Sequence, residues 1–137
     1  MKGFVDNNLV LSDAQTIATA AGNSALASSN TLRLPESALG DGRPIYLNVM
    51  VATAAAGRSA GAKQLVVRLQ DAADSSGSPD TFGSTAVVQT TITVTNLVKG
   101  LEILRVALPS DTRAWVRALY NVQTLSAGAL DAWLSDH

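Results

Sequence analysis

From residue 44 onward, apolar and polar residues alternate over short runs, the period of a strand with one buried face. In PIYLNVMVA (44–52), Ile45, Leu47, Val49 and Val51 share a face, and Pro44 stands at the start, where a strand tolerates it. KQLVVRLQD (63–71) is a short apolar run that ends in a polar turn. STAVVQTTITVTNLV (84–98) is rich in Val, Thr and Ile, which suit a pleated surface. LEILRVALP (101–109) sets Leu101, Ile103 and Arg105 against Leu104, Val106 and Leu108. RAWVRALYNV (113–122) sets Trp115, Arg117, Leu119 and Asn121 against Val116, Ala118, Tyr120 and Val122, and LSAGALDAWLS (125–135) closes the series. Between the runs lie GDGRP (40–44), DSSGSPDTFGS (74–84), VKG (98–100) and PSDTR (109–113), clusters of turn-forming residues.

The first third of the chain is less plain. Ser12 and Gln15 have the spacing of a helix capping box, and Ala14, Ile17, Ala18, Ala21 and Ala25 fall near helical spacing. The β-rich remainder favours a strand over DAQTIATA (13–20), because tertiary pairing overrides local propensity. AAGNSALASS (20–29) then reads as a small-residue connection, and NTLRLPE (30–36) as a strand in which Leu32 and Leu34 alternate. With six runs after residue 44 the count is about eight. This predicts an all-β, single-domain, antiparallel jelly-roll-like sandwich over residues 9–137, preceded by a short N-terminal arm, residues 1–8. VATAAAGRSAGAKQ (51–64) reads as a long loop between two strands, either a contact surface of small apolar residues or a solvated segment.

Composition narrows the function classes. The 137 residues carry 10 basic and 11 acidic side chains, a net charge of -1, which gives no reason to expect nucleic acid or an anionic membrane as partner. Only 15% of residues are charged, against about a quarter in ordinary domains. A surface of Ala, Ser, Thr and Gly loses little hydration on contact, a property of a chain that works against another protein. There is no cysteine, so no disulfide and no thiolate chemistry. No apolar run reaches the length of a membrane span, and MKGFVDNN lacks the apolar segment of a signal peptide, which points to synthesis in a cytoplasm.

Candidate chemistry is sparse. GRSAG (57–61) has the letters of a nucleophile elbow around Ser59, but a strand-like run follows where a helix is required. The one histidine, His137, is the last residue of the sequence. Gly61 to Lys63 misplaces the lysine of a phosphate loop by one residue. Asp71, Asp74 and Asp80 lie on one loop where calcium is conceivable, although the spacing fits no EF-hand and the same residues make ordinary turns. The expectation is no enzyme, no catalytic residue, no metal and no cofactor. Trp115 and Trp133 are expected to anchor the core or an interface. Arg68, Arg105 and Arg117 sit within strands, on a solvated face or at an interface.

Three stretches, in order along nearly the whole chain, carry a family likeness. They are a strand leading into SDAQ, Ser12 to Gln15; the entry G-x-G-x-P-I-Y at Gly40, Gly42, Pro44, Ile45 and Tyr46; and an LP-x-x-T-R turn, Leu108, Pro109, Thr112 and Arg113, leading to Y-x-V at Tyr120 and Val122. The succession resembles the capsid cement (decoration) proteins of tailed bacteriophages, of the type found on a Bordetella phage head. The departures are the long TAAAGRSAGAK loop and the ending DAWLSDH. The resemblance implies a jelly-roll-like fold and a structural virion protein. Made in the host bacterial cytoplasm, it would sit on the outer surface of the head and bridge neighbouring major capsid subunits as a homo-oligomer, dimer or trimer. No catalytic residues carry over. The expected capsid or oligomer contacts are Phe4 and Val5 on the arm, Leu9, Arg58, Arg117 and Trp133. The alternative is a phage tail or baseplate β module, or a receptor- or carbohydrate-binding jelly roll.

Overall fold

A computed structural model describes residues 9–17, 24–34, 45–57, 64–83, 88–93, 97–109, 111–122 and 125–135. These hold eleven strands and no α-helix: β1 (Val10–Thr16), β2 (Ser24–Ala27), β3 (Leu32–Arg33), β4 (Tyr46–Gly57), β5 (Gln64–Ala72), β6 (Asp74–Ser75), β7 (Ser78–Pro79), β8 (Val88–Thr93), β9 (Glu102–Ala107), β10 (Trp115–Val122) and β11 (Leu125–Ser135). One sheet has the order β1-β11-β4-β9 and the other β2-β10-β5-β8, with β3 also on β10 and β6-β7 a separate small hairpin. Every pairing is antiparallel.

Alternation along the strands builds the core. Leu47, Val49, Val51, Leu130 and Leu134 of the first sheet meet Leu65, Val67, Leu69, Val116, Ala118 and Tyr120 of the second in one buried cluster. Each aliphatic side chain removed from water in this way contributes roughly 1.5–3 kcal/mol. The molecule is therefore an all-β antiparallel sandwich, as the periodicity predicts. Trp115, Arg117, Leu119 and Asn121 are half-buried, while Val116, Ala118 and Tyr120 on the alternate positions are fully buried.

The described residues hold eleven strands, eight of them on the two main sheet paths, with β3 and the β6-β7 hairpin beside those paths. Two expectations need correction. β2 lies inside AAGNSALASS, which carries no alternation to announce it; its strand state comes from pairing Leu119–Val122 of β10. The small-residue loop also begins later than expected. Residues 52–57 continue β4, held in register by β11 from Leu125 to Ala129, and only 58–63 lie outside the described residues.

The β11 register is irregular around Gly128, which has a φ of +143°. A Cβ there would stand 3.1 Å from Ile17 Cγ1 and 3.4 Å from the Ala55 backbone. Glycine thus lets three strands close up, and the Gly128 carbonyl accepts the Ile17 N–H at 2.9 Å.

Candidate functional site

Two groups of hydrogen-bonded polar side chains lie near opposite ends of β10. The first is the S-D-A-Q stretch. β1 is irregular between Ser12 and Gln15, and Ala14 there has a φ of 47° while its N–H donates to Asp131 Oδ1 at 2.7 Å. The Ser12–Gln15 side-chain bond expected of a capping box does form, at 2.7 Å, but across a kinked strand. Ser12 donates its only proton to Gln15 Oε1, so the Tyr120 phenol 2.8 Å away is the donor to Ser12 Oγ. Gln15 Oε1 also accepts from Ser29 N at 2.8 Å and Ser29 Oγ at 3.0 Å, and Gln15 Nε2 donates to the Ala27 carbonyl at 2.8 Å. The relay runs from Tyr120 in the second sheet through β1 of the first and back to the end of β2. Burial pushes the Tyr120 phenol up to about 12, so it stays a neutral donor at physiological pH.

Residues 28–30 complete this closure. Ser28 donates its N–H to the Ala118 carbonyl, and its Oγ accepts the Ala118 N–H, so the ladder on β10 survives the break between β2 and β3. Asn30 meanwhile bonds the Leu11 carbonyl through its N–H and the Val10 carbonyl through Nδ2, both at 3.0 Å. The segment faces both sheets at once.

The second place is charged. Asp71, buried at the end of β5, accepts from the Arg113 backbone N–H at 2.8 Å and from Arg113 Nη2 at 2.9 Å. Its own carbonyl accepts from Arg113 Nη2 at 2.8 Å and from Gly83 N at 3.1 Å. Burial alone would raise the Asp71 pKa; the hydrogen bonds and charge of Arg113 outweigh it and hold the carboxyl below the usual range. Beyond it, Trp115 Nε1 donates to Asp74 Oδ1 at 2.8 Å, which lowers that carboxyl, while Arg33 stands 3.6 Å from Asp74 Oδ2 and 6.0 Å from the Trp115 ring centroid. Asp80 Oδ1 takes the Thr81 N–H. The three aspartates of the DAADSSGSPD stretch thus face separate partners and anchor turns. Among the described residues no group of three or more His, Asp or Glu side chains is arranged to hold a metal ion.

The predicted contact residues have scattered positions. Arg117 donates Nε to Gln70 Oε1 at 2.9 Å, and its guanidinium lies 4.3 Å from the Phe82 ring centroid. Trp133 is half-buried on β11 in register with Val10 and Asn48, on the side away from the core that Ala132 and Leu134 face. Leu9 packs against the edge of the core. Phe4, Val5 and Arg58, the arm, Ser59 and Lys63 lie outside the described residues. Sequence reading did not find the Asp71–Arg113 pair or the Tyr120 relay. Their signals were the arginine that ends the LP-x-x-T-R turn and a tyrosine on the buried face of a strand.

The stretches that carried the family likeness touch each other. Ser12 meets Tyr120, and the Ile45 carbonyl accepts the Leu108 N–H at 2.7 Å. The fold and its internal fastenings therefore define a β-sandwich that contacts among these stretches help hold together. The chain matches the Bbp16 family over residues 11–134 and belongs to it. That family is Bordetella phage-related, which makes this a bacteriophage-related protein. No curated protein matches the chain.

Proposed function

We propose that the chain is a structural virion protein. In this reading it binds the outside of a phage head and cements neighbouring major capsid subunits, stabilising the expanded state. The observation that carries the reading is the phage-related family match over residues 11–134. The rest of the molecule supports it. The alternation of the chain between the two sheets supports a jelly-roll winding. The low charge density keeps desolvation cheap.

A cement protein does not need strong individual contacts. Several weak ones from one oligomer, dimer or trimer, to several capsid subunits multiply through effective concentration. Binding only the expanded head stabilises that state by mass action. Phe4 and Val5 would lie in a neighbour's apolar groove, with Leu9, Arg58, Arg117 and Trp133 as further contacts. The reading involves no catalysis and no cofactor.

The test is co-sedimentation of the purified protein with heads that lack it. Saturable retention at a copy number near that of the capsid protein, with raised thermal resistance of the heads, is the expected result. Retention on isolated tails and not on heads would replace this reading with the tail-module one.

A further inference from the structure

The two sides of the sandwich are closed differently. On one, Gln15 joins β1 to the end of β2, and Asn30 bonds the Val10 and Leu11 carbonyls. On the other, β8 and β9 lie beside each other at the ends of their sheets. Among the described residues no hydrogen bond joins these two strands. The core is thinly covered there: Val88 and Ile92 of β8, Leu104 and Val106 of β9, and Leu101 before β9 pack on it but are only half-buried. The Leu97 and Leu101 carbonyls extend the β9 edge by accepting the Ala55 and Val51 N–H groups. Between them Val98 is 58% exposed, the one large apolar side chain so exposed among the described residues. β8 is also the most regular edge. Its residues VQTTIT pair Leu69 back to Gln64 without a slip and carry neither charge nor proline. Among the described residues its backbone has a partner on one side only, β5. By contrast β1 is kinked, β2 and β3 are interrupted at 28–30, and β9 slips beside Met50 and carries Glu102 and Arg105.

A straight, uncharged edge is a template for a further strand. We propose that β8 pairs antiparallel with β8 of a second copy of this chain, across a two-fold axis, and that the half-covered apolar seam of each copy is closed by the other. The interface stands on the fold alone and does not need the decoration reading. Self-complementarity selects the occupant. An axis normal to the sheet keeps core-facing positions core-facing, so residues that meet across it share a face. Val88, Thr90 and Ile92 lie opposite the core residues Leu69, Val67 and Leu65, which leaves Gln89, Thr91 and Thr93 on the outer face. Thr91 therefore meets either its own mate or Gln89, and neither register sets like charges against each other. On the other sheet Glu102 and Arg105 lie opposite Met50 and Asn48, both on the outer face. The same axis runs β9 antiparallel to its mate, an order that turns the acidic end of one strand towards the basic end of the other. The β8 edge has no charge with which to select a foreign strand.

The test is the oligomeric state of the purified full chain in the absence of heads, read by sedimentation equilibrium. Wild type should be a dimer. Thr91→Lys, at an exposed position, brings two like charges to the axis and should weaken the dimer about tenfold or more, with unchanged circular dichroism. Asp13→Lys, on the kinked edge, should leave it intact. The chain has no cysteine, so Gln89→Cys/Thr91→Cys supplies the only thiols. Opposed residues of an antiparallel pair stand about 4.5–5.5 Å apart at Cα, within disulfide reach, and this variant should cross-link between chains on oxidation in either register. A monomeric or trimeric wild type would overturn the interface. So would a dimer that survives Thr91→Lys and does not cross-link through the paired cysteines. A monomer that still saturates heads would remove this interface and leave the decoration reading standing.

Discussion

The two polar fastenings of the sandwich do similar work with different chemistry. At one end of β10, Tyr120, Ser12, Gln15 and Ser29 join the sheets through neutral groups. At the other, Asp71 and Arg113 tie the turn before β10 to the end of β5 with an ion pair. The neutral relay is buried where Tyr120 meets Ser12, fixed there by packing as much as by hydrogen bonds, and reaches the surface at Gln15 and Ser29. The charged clamp sits at a loop, where Arg113 is half-exposed and water competes for it. Neutral groups can therefore be buried without a desolvated charge, while a turn near solvent can use a charge-assisted bond.

The hardest break is Tyr120→Ala. It removes a fully buried ring as well as the phenol, and a loss of about 3–5 kcal/mol of unfolding free energy is expected in urea titration. Asp71→Ala should cost less, about 2–3 kcal/mol. It leaves the Arg113 N–H without its acceptor but opens little space. Asp71→Asn, which keeps an acceptor, should fall between that variant and wild type.

Removing only hydrogen bonds from the relay should have smaller effects. Tyr120→Phe and Gln15→Ala are each expected to cost about 1 kcal/mol in the same titration. Losses from both near zero would show that packing alone holds that edge.

The smallest effect separates the two fastenings by pH. The Asp71 carboxyl is depressed in the folded state, so its contribution is present above the unfolded value near 4 and is lost as pH falls through the lower folded value. Wild type should therefore lose part of its stability advantage over Asp71→Asn below about pH 4. The advantage over Tyr120→Phe should stay flat across the same range, because the phenol titrates near 12. A Tyr120→Phe difference that tracked acid pH would contradict the neutral relay.

Legibility in the sequence followed side-chain contrast. The run at 45–51 was readable because large aliphatics alternate with polar residues, and Leu47, Val49 and Val51 are buried accordingly. The extension of β4 through ATAAAG was not, because alanine and glycine favour no strand locally; the β11 backbone supplies the pairing. Ser12 and Gln15 were read at the right spacing and make the expected bond, yet the spacing does not tell a helix from a kinked strand. Asp71 and Arg113 are 42 residues apart, so only the β5–β10 register brings them together. Arg117 and Trp133 were singled out as contact residues on residue type alone. The structure places them on the outer sides of different sheets, Arg117 with partners from its own chain.

The kink in β1 has a further consequence. β1 is the edge of its sheet, and an edge strand presents unpaired backbone groups to any neighbouring chain. Here Ala14 adopts a left-handed conformation, its N–H is capped by Asp131, and the register slips twice between Val10 and Gln15. A second molecule cannot lay a straight strand along such an edge for more than a residue or two. The same irregularity that lets Gln15 reach β2 thus hinders strand addition along this edge of the first sheet.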